Sequence, residues 1–379
     1  MKVAIVSTWG QECGIATYSE EMIAGGVGGG VEFVVLAPEE ARSPRPLPEV
    51  PERRCWARGD AQLAMRLAPY LEGCDVVHFQ HEFGLFPYAW PFVAALRELQ
   101  KRWPVVVTLH TAYPYGEAKW TAWIDAVCSS VSAVVVHTVS ARAAVSCARH
   151  HKKLVLRRIS HGTRLAAGGD AARGRQLLGL PEGGISSVGI ALGFVGIGKN
   201  LLCTVQGFAE AKARRLMPQD ARFCVVGGGD GQYANLVRGL MIECGGDMNF
   251  RYVGGFVPTS DVRHILAAVD YAVLNTSSWT LSASGAAHVM AGHGVPFACA
   301  VRPIYEEGIH AGAVPFQVDS SDSNSADISL VNAIAALGCA DMRDDVRALV
   351  TRFGQETVWS NIVKQHESLY REVVDAHRE

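Results

Sequence analysis

The sequence predicts an α/β protein built from two Rossmann-like domains, and two observations support this prediction. Short, continuously apolar runs rich in β-branched residues alternate with longer segments of helical pattern along the chain. Strands that are apolar on both faces are typical of parallel sheets covered by helices on both sides. The chain has 379 residues, which is long for a single hydrophobic core. Two domains are therefore expected.

The expected strands fall into two series. The first series comprises residues 2–8, 32–38, 75–80, 104–110 and 133–139, and the second comprises 188–196, 222–229, 250–255, 271–277 and 295–301. Between them lies the Gly-rich segment 161–187, where we place the domain connection. Apolar residues at helical spacing near the end predict an amphipathic helix. We therefore predict a first domain of residues 1–170 with a terminal helix 357–379, and a second domain of residues 185–356.

Composition and charge exclude several classes of protein. With 49% hydrophobic and 19% charged residues, the chain is a folded globular protein and not a disordered one. Its net charge of -2 gives no overall attraction to nucleic acid or anionic membrane. The basic stretch 148–158 is either a solvated edge or a surface for an anionic acceptor.

Cysteine usage and hydropathy indicate the compartment. The ten cysteines include no C-x-x-C pair, and several lie in apolar runs. They indicate buried thiols in a reducing compartment, so a cytoplasmic location is expected, without a disulfide framework or a zinc site. We expect no signal peptide and no transmembrane segment. No D-x-D pair accompanies the loops described below, so no bound metal is expected.

The loop after the first expected strand is rich in glycine. Ligands of parallel α/β sheets bind beyond the carboxyl ends of the strands, so these loops are where chemistry is expected. Gly10 and Gly14 allow the chain to pass close to a ligand before a helix begins. A plain turn between strand and helix is the alternative, because glycine alone is weak evidence.

Polar residues follow two later strands of the first series, and buried polar groups at such points need partners. They are Gln80, His81, Glu82, His110 and Thr111. His81 and His110 are candidate functional residues because each stands where a strand gives way to a loop. His78 and His137 are expected to be structural.

In the second series, Gly198 and Lys199 follow a strand and precede a helix. A lysine there can act as a mobile point charge for phosphate beside exposed backbone amides. The glycine turn 227–231 also follows a strand, but neither stretch matches the P-loop pattern. Tight turns without a ligand are the alternative for both.

The stretch SASGAAHVMAGHGVP, residues 282–296, predicts a helix whose first turn carries only small side chains. Ser282 or Ser284 can cap it, while the amides near Gly285 and Ala286 stay free. A helix start of this kind binds anions, and the small side chains let a ligand reach the backbone. We infer a diphosphate as that ligand.

The motifs, in chain order, resemble those of a retaining glycosyltransferase of the GT-B fold, similar to glycosyltransferase family 4. They are CGIATYSEEM, VVHFQHEFG, VVVTLHT, VVHTVSARA, ISHGT, GFVGIGKNLLCTVQGFAEA, CVVGGGD, YVGGFVPTSDVRHILAAVDYAVLN and SASGAAHVMAGHGVPFA. The ordered set is specific although no single motif is. The resemblance covers nearly the whole chain and implies two Rossmann-like domains facing each other across a cleft, with the C-terminal helix crossing back to the first domain.

The resemblance also implies roles for individual residues. A nucleoside-diphosphate sugar would bind mostly to the second domain, with the lysine on the diphosphate, the 255–257 loop by the base and the small-residue helix start on the phosphates. The implied donor residues are Gly14, Ile15, Gly198, Lys199, Gly255, Phe256, Val257, Ser284, Gly285 and Ala286, and His110 would close over the transferred sugar. The acceptor would lie against the first domain, near Tyr18, Gln80, His81, Glu82 and Thr111.

The sequence departs from the family pattern at the acids. The family usually has two glutamates eight positions apart on the last helix of the donor site. Depending on the glycine used as anchor, these positions hold Leu281 and Val289, or Ser282 and Met290. An arginine that commonly precedes the lysine is replaced by Phe194.

The sequence thus predicts transfer of a hexose-like sugar from a nucleoside diphosphate with retention, with His110 and Lys199 as catalytic candidates. In this class the leaving diphosphate can take the acceptor's proton on the same face of the sugar, so no protein nucleophile is required. No cofactor is expected besides the nucleoside-diphosphate sugar as co-substrate. The acceptor is a glycan, a small molecule, a lipid or a nucleic acid, and the assembly is a monomer or a homodimer.

Three alternatives belong to other functional classes. A non-catalytic sugar-nucleotide-binding protein would explain the missing acids. A nucleic-acid-modifying glycosyltransferase would share the donor features and differ in a basic acceptor face. An epimerase or phosphorylase on the same fold would need acids or a cofactor lysine that the sequence does not supply.

Overall fold

The structure, a computed structural model, describes residues 1–40, 50–86, 90–114, 116–147, 154–166, 168–319 and 327–379. Within these ranges the chain divides into two compact units. The first unit consists of Met1–Gly162, Thr280–Ala283 and Thr357–Glu379, and the second of Thr163–Trp279 and Ser284–Glu356. Each unit has its own parallel sheet and its own hydrophobic core.

The first unit is built on a sheet of seven described strands in the order β3-β2-β1-β4-β5-β7-β8. They are β1 (Lys2–Val6), β2 (Glu32–Pro38), β3 (Glu52–Trp56), β4 (Val76–His81), β5 (Val105–Leu109), β7 (Ala133–Val136) and β8 (Val155–Arg158). A separate antiparallel pair joins β6 (Thr111–Ala112) to β13 (Leu281–Ser282). The strand order reverses between β1 and β4, whose carboxyl ends therefore flank the switch point where ligands of such sheets bind.

Helices cover both faces of this sheet. They are α1 (Gly14–Gly26), α2 (Leu63–Leu71), α3 (Trp90–Gln100), α4 (Ala118–Cys128), α5 (Val139–Ser146) and α14 (Trp359–Arg378). Successive side chains of a strand point to opposite faces. Val3 and Ile5 consequently pack with α1 and α14, whereas Ala4 and Val6 pack with α2, α3, α4 and α5.

The terminal helix α14 belongs to the first unit, where it packs on α1. Trp359 is buried, and its Nε1 donates to Glu21 Oε2 at 2.9 Å. A Cβ on Gly25 would lie 2.6 Å from Trp359 Cβ, and one on Gly162 would overlap the Trp359 ring, so the close approach requires glycine at both positions. The predicted amphipathic helix is confirmed, and its buried face includes Ile362, Val363, Leu369, Tyr370 and Val373.

The second unit is built on a sheet of six described strands in the order β11-β10-β9-β12-β14-β15. They are β9 (Val188–Leu192), β10 (Arg222–Gly227), β11 (Phe250–Gly254), β12 (Tyr271–Leu274), β14 (Phe297–Ala300) and β15 (Gln317–Val318). Its helices are α6 (Ala171–Leu177), α7 (Leu201–Ala213), α8 (Gly231–Glu243), α9 (Thr259–Ala267), α10 (Gly285–Gly292), α11 (Glu306–His310), α12 (Ile328–Gly338) and α13 (Ala340–Glu356), with short 3-10 turns at Ile197–Lys199, Gly246–Met248 and Pro303–Tyr305.

Every predicted run contains a strand, so the predicted fold class is confirmed. The prediction did not include β3 and β8 among the strands of the first series. Both are edge strands of the first sheet, and their exposed arginines break the apolar pattern that marks a central strand. Strand β8 lies in the basic stretch 148–158, of which residues 148–153 lie outside the described part of the chain.

The boundary between the units lies earlier than the predicted end of the first domain at residue 170. Thr163 already belongs to the second unit, and its Oγ1 lies 2.7 Å from His288 Nδ1 of α10. The amide of Ala166 donates to the Gly292 carbonyl of the same helix. These bonds tie residues 163–166 to the second unit although their sequence resembles a linker.

Candidate functional site

The loop that follows β1 leads into α1 at the switch point of the first sheet. Cys13 caps the helix, its Sγ accepting from the Ala16 amide at 3.5 Å. Gly14 is the first helical residue, and nothing lies within 4 Å of the position a Cβ would take there. Ile15 is half-buried and packs against the core. The Gly14 position is therefore one that a ligand can approach and that packing does not reserve for glycine.

His110 follows β5, and Gln80 belongs to the neighbouring strand β4. His110 Nε2 lies 2.8 Å from Gln80 Oε1, and both side chains are buried. Burial, with the nearby histidines, holds the pKa of His110 well below its usual value, so the ring is neutral. The His110 carbonyl accepts from Ser282 Oγ of β13. The structure thus brings Gln80 and His110 together. Hydrogen bonds to the ring and to the backbone carbonyl hold His110 in place.

Tyr18 of α1 is buried among aromatic rings. Its ring centroid lies 4.6 Å from that of His110, 5.4 Å from His137, 5.1 Å from His161 and 4.9 Å from Trp359. Only 2% of Tyr18 is exposed. The sequence placed Tyr18 on the acceptor side, whereas its buried ring packs behind His110 and offers no surface to an acceptor.

His81 is also buried, on the opposite face of β4 from Gln80. Its Nε2 donates to the Phe86 carbonyl at 3.1 Å, and its ring lies 4.8 Å from that of Trp123 and 5.2 Å from that of Phe92. Burial lowers its pKa to about 3. The expectation that His81 faces an acceptor is corrected, because strand alternation turns it into the core.

Glu82 and Thr111 lie together at the ends of two adjacent strands. Thr111 Oγ1 donates to Glu82 Oε2 at 2.6 Å, and the Phe83 amide donates to Glu82 Oε1 at 3.0 Å. Both side chains are half-buried. They remain accessible at the carboxyl edge of the first sheet, so an acceptor hydroxyl could bond to the carboxylate there.

In the second unit, the switch point lies between β9 and β12, where the strand order reverses. Lys199 follows β9 and Asn275 follows β12, and both line a small cavity with Tyr305. Asn275 is 5% exposed, and its Oδ1 has no hydrogen-bond partner among the described residues. A buried polar atom without a partner costs free energy, so a bound polar ligand or water is expected there.

Lys199 is half-buried, and its ammonium group forms no ion pair or hydrogen bond with any described residue. Burial lowers its pKa. Its loop is held in place by Thr276, whose Oγ1 donates to the Gly198 carbonyl at 2.7 Å, and by the Ser277 amide, which donates to the same oxygen at 2.9 Å. A partly desolvated cation without a counter-charge can bind an anion.

The helix α10 begins as predicted, with Ser284 as its cap. Ser284 Oγ accepts from the Ala287 amide at 3.2 Å. The amides of Gly285 and Ala286 donate to no residue in the described ranges. They are the first amides of the helix, so they and the positive end of its dipole can receive an anion.

The loop after β11 carries the residues expected near the base. Gly255 has φ of +97°, a left-handed conformation that favours glycine. Phe256 is 55% exposed, and Val257 is half-buried. Phe256 thus presents an aromatic face on which a planar base could stack.

The glycine turn after β10 has a structural explanation. A Cβ on Gly227 would collide with the Gly193 carbonyl oxygen, and one on Gly229 with the Val195 carbonyl. These glycines let the loops after β9 and β10 pack backbone to backbone, so the alternative of a tight turn without a ligand accounts for them.

The positions at which the family usually has glutamates hold residues with other roles in this chain. Leu281 is buried in the core of the first unit, and Met290 is buried in that of the second. Val289 packs on the second core, and Ser282 Oγ bonds to the His110 carbonyl. No described residue therefore places a carboxylate at these positions.

Sequence reasoning missed two features of the second unit. Asn275 carries the same signal as Gln80, a polar residue where an apolar strand ends, and could have been found. Trp279 is 63% exposed and lies over the guanidinium group of buried Arg302, with 4.2 Å between the Arg302 Cζ and the ring centroid. This pair has no sequence signal, because its members come from loops that follow different strands.

The described residues contain no group of three or more His, Cys, Asp or Glu side chains that could hold a metal ion. None of the helices they form is both long enough and apolar enough to cross a membrane.

The chain resembles known proteins in part of its sequence and in its fold. Residues 13–152 match the family model of a glycosyl transferase 4-like domain. No curated protein sequence matches the chain. Three similar solved structures show the fold: sucrose-phosphate synthase from Thermosynechococcus elongatus (18% identity, 99% of each chain covered, TM-score 0.73), Anabaena HepE in complex with UDP (14% identity, 98% of this chain and 100% of that chain, 0.72), and a UDP-forming trehalose-phosphate synthase from Burkholderia xenovorans (12% identity, 98% and 99%, 0.73).

These likenesses confirm the expected GT-B fold and the resemblance to the family 4 glycosyltransferases. The match over residues 13–152 supports an enzyme of the glycosyltransferase class.

Proposed function

We propose that this GT-B chain is a glycosyltransferase that moves a sugar from a nucleoside-diphosphate sugar to an acceptor, with retention at the anomeric carbon. The observation that carries the proposal is Lys199, a half-buried cation without an anionic partner among the described residues, at the switch point of the second sheet. The uncapped amides of Gly285 and Ala286 supply a second anion-binding element in the same unit. Together they favour a diphosphate.

A uridine diphosphate sugar is the donor to test first. HepE was solved with UDP and with UDP-glucose, and the Burkholderia xenovorans synthase is UDP-forming. In this chain the exposed Phe256 would stack on the base. The proposed reaction needs no cofactor beyond the donor.

In the proposed reaction the bond between the anomeric carbon and the diphosphate oxygen breaks, and a bond from the acceptor oxygen forms on the same face of the sugar. The acceptor's proton passes to the leaving diphosphate. Negative charge grows on that diphosphate as its bond breaks, so Lys199 and the α10 amides would stabilise the transition state more than the bound donor. Binding of the diphosphate would also raise the pKa of Lys199 back towards its usual value.

Residues of the first unit would hold the reacting sugar and the acceptor. His110 is neutral, so it can bond to a sugar hydroxyl but cannot supply a positive charge. Glu82, held by Thr111 and the Phe83 amide, would accept a hydrogen bond from an acceptor hydroxyl. Gly14 would leave room for the sugar beside the start of α1.

The experiment is incubation of the full chain with UDP-, GDP- and ADP-sugars, followed by mass spectrometry of the products. We expect slow release of free sugar and nucleoside diphosphate from one donor, and faster loss of donor when a matching acceptor is added. Lys199→Ala should slow that release. A panel in which every donor stays intact, with and without acceptors, would overturn the proposal.

A second candidate is a sugar-nucleotide-binding protein without transfer activity. It is favoured by one observation, that Leu281 and Val289 pack in hydrophobic cores where the family has acids. Such a protein would bind the nucleoside diphosphate in calorimetry yet leave every donor in the panel intact.

A further inference from the structure

A chain of hydrogen bonds runs through the core of the first unit from the terminal helix to His110. His78 and Gln80 lie two positions apart in β4 and point to the same face of the sheet. In the parallel register Gln80 pairs with Thr108 of β5, and His110 follows two positions later. Tyr370 of α14 reaches the same face. Polar side chains from three elements therefore meet in one buried layer.

The contacts in this layer are continuous. His110 Nε2 lies 2.8 Å from Gln80 Oε1, and Gln80 Nε2 lies 3.4 Å from His78 Nε2. His78 Nε2 also lies 2.8 Å from Thr108 Oγ1, and His78 Nδ1 lies 2.7 Å from Tyr370 Oη. His78, Gln80, Thr108 and Tyr370 are fully buried, so water does not compete for these bonds.

The orientation of the Gln80 amide determines which ring nitrogen carries the proton in His110 and in His78. Its oxygen faces His110, so His110 Nε2 is the donor and Nδ1 carries the lone pair. Its nitrogen donates to His78 Nε2, so the proton of His78 is on Nδ1 and is donated to Tyr370 Oη. Burial lowers the pKa of both histidines well below the usual value, so each ring is neutral and holds one proton. The orientation of the Gln80 amide is assigned from this network. Turning the amide over would exchange donor and acceptor in each of these bonds.

Stability alone does not require such a layer. Apolar side chains of similar shape could replace a buried hydrogen-bonded pair with little change in folding free energy. What the polar chain adds is orientation, since a ring bonded at one nitrogen cannot turn without breaking the bond. His110 is the end of the chain, and its Nδ1 accepts no hydrogen bond from the described residues.

We propose that Gln80, His78 and Tyr370 are positioning residues that fix the tautomer and the ring orientation of His110. The ring is thereby set to present Nδ1 as an acceptor for a hydroxyl group. That this hydroxyl belongs to the transferred sugar rests on the proposed function, whereas the control of the tautomer does not. The terminal helix would then act on the reaction through Tyr370 without touching the substrate.

The test of tautomer control is nitrogen-15 NMR of the full chain labelled at histidine, with His110→Gln used to identify the His110 signals. In the wild type we expect His110 as a single neutral tautomer protonated at Nε2, with or without UDP. Gln80→Leu should remove this preference, giving both tautomers in exchange, whereas Gln80→Glu keeps the acceptor oxygen and should keep the Nε2–H form. Both tautomers in the wild type, or an unchanged spectrum in a folded Gln80→Leu, would overturn the proposal.

Tyr370→Phe tests the positioning of His110 if Gln80→Leu does not fold. It removes one oxygen from the far end of the chain, so we expect the His78 signals to change tautomer and the His110 signals to broaden or split. The matched control is Tyr271→Phe, which removes the hydroxyl of a fully buried tyrosine in the second unit whose Oη has no hydrogen-bond partner among the described residues. If Tyr370→Phe leaves both histidines as they are in the wild type, Tyr370 has no positioning role.

Kinetics separate this proposal from the proposed function. Once a donor is found, Tyr370→Phe should lower kcat about tenfold, the effect of losing one hydrogen bond that orients a reacting group, with little change in the donor KM. Tyr271→Phe should leave both constants unchanged. A wild type that transfers no sugar but shows the single His110 tautomer would disprove the proposed function and leave the positioning chain intact.

Discussion

At the scale of single residues, Lys199 is a half-buried cation without an anionic partner among the described residues. Burial makes its charge costly in the folded chain, as its lowered pKa shows. We expect Lys199→Ala to weaken UDP binding by about 1.5 to 3 kcal/mol, the value of a charge-assisted hydrogen bond, while leaving the melting temperature unchanged or higher. Calorimetric titration and thermal unfolding measure the two effects. The control is Lys101→Ala, at an exposed lysine paired with Glu98, and equal UDP affinity in Lys199→Ala and wild type would remove Lys199 from the site.

Gly14 is the second residue whose role can be separated from packing. Nothing lies within 4 Å of its Cβ position, so Gly14→Val should fold with a melting temperature close to that of the wild type. If the transferred sugar passes there, the valine side chain will block it and transfer will be lost. Gly183→Val, at another position with free space, is the control. Full activity of Gly14→Val in a donor assay would show that no ligand approaches this residue.

At the scale of elements, the start of α10 is the feature that we propose to bind phosphate. Ser284 has φ of -97° and ψ of 103°, the extended conformation that a following proline needs, and proline is well tolerated as the first residue of a helix. Gly285→Pro should therefore keep the helix and delete one amide, which weakens UDP binding by about 1 kcal/mol.

The matched control is Ala340→Pro, at the first residue of α13, where Cys339 is likewise extended. Circular dichroism should not distinguish either variant from the wild type. UDP should bind more tightly than UMP, and uridine hardly at all. Equal affinities for uridine, UMP and UDP would show that the helix start is packing and holds no phosphate.

The terminal helix α14 contributes several buried side chains to the core of the first unit. Trp359 is buried between α1 and Gly162, so Trp359→Ala leaves a cavity and should lower the free energy of unfolding by about 3 to 5 kcal/mol. Urea denaturation measures the loss. Lys364→Ala, on the exposed face of the same helix, should change stability little. A Trp359→Ala chain as stable as the wild type would mean that α14 contributes little to the core.

At the scale of the whole molecule, buried neutral histidines link stability to pH. Burial lowers the pKa of His81 and of His288 to about 3 and that of His366 to about 4. In the unfolded chain each titrates near 6.5. Above that pH the rings are neutral in both the folded and the unfolded chain. Below it the unfolded chain binds protons that the folded chain does not bind. The free energy of unfolding should therefore fall between pH 6.5 and about 4, by about 1.4 kcal/mol per pH unit for each histidine.

Urea denaturation at pH 8, 7, 6 and 5 tests this dependence. His81→Phe removes one titrating ring from a pocket of aromatic side chains, so its stability should fall less steeply with decreasing pH than that of the wild type. A profile that is flat from pH 7 to pH 5 would contradict the burial of neutral histidines.

Much of the fold and part of the site follow from local sequence. Continuous apolar runs predict the central strands, because only strands covered on both faces need them. The cap at Ser284, the small first turn of α10 and the position of Lys199 are also local, since each depends on residues a few positions apart. The edge strands β3 and β8 were missed because their partly solvated residues include exposed arginines that break the apolar pattern.

Sequence by itself determined where the strands end and which polar residues stand there. Only the tertiary structure decided which of them face a ligand: alternation along β4 sends His81 into the core and Gln80 towards His110, and the packing of α14 buries Tyr18 and joins Tyr370 to His78. Tertiary structure likewise decided the environment of Leu281, because its strand partner Ala112 is distant in the sequence. The physical reason is that orientation and burial depend on contacts between residues distant in sequence, and no local pattern encodes those contacts.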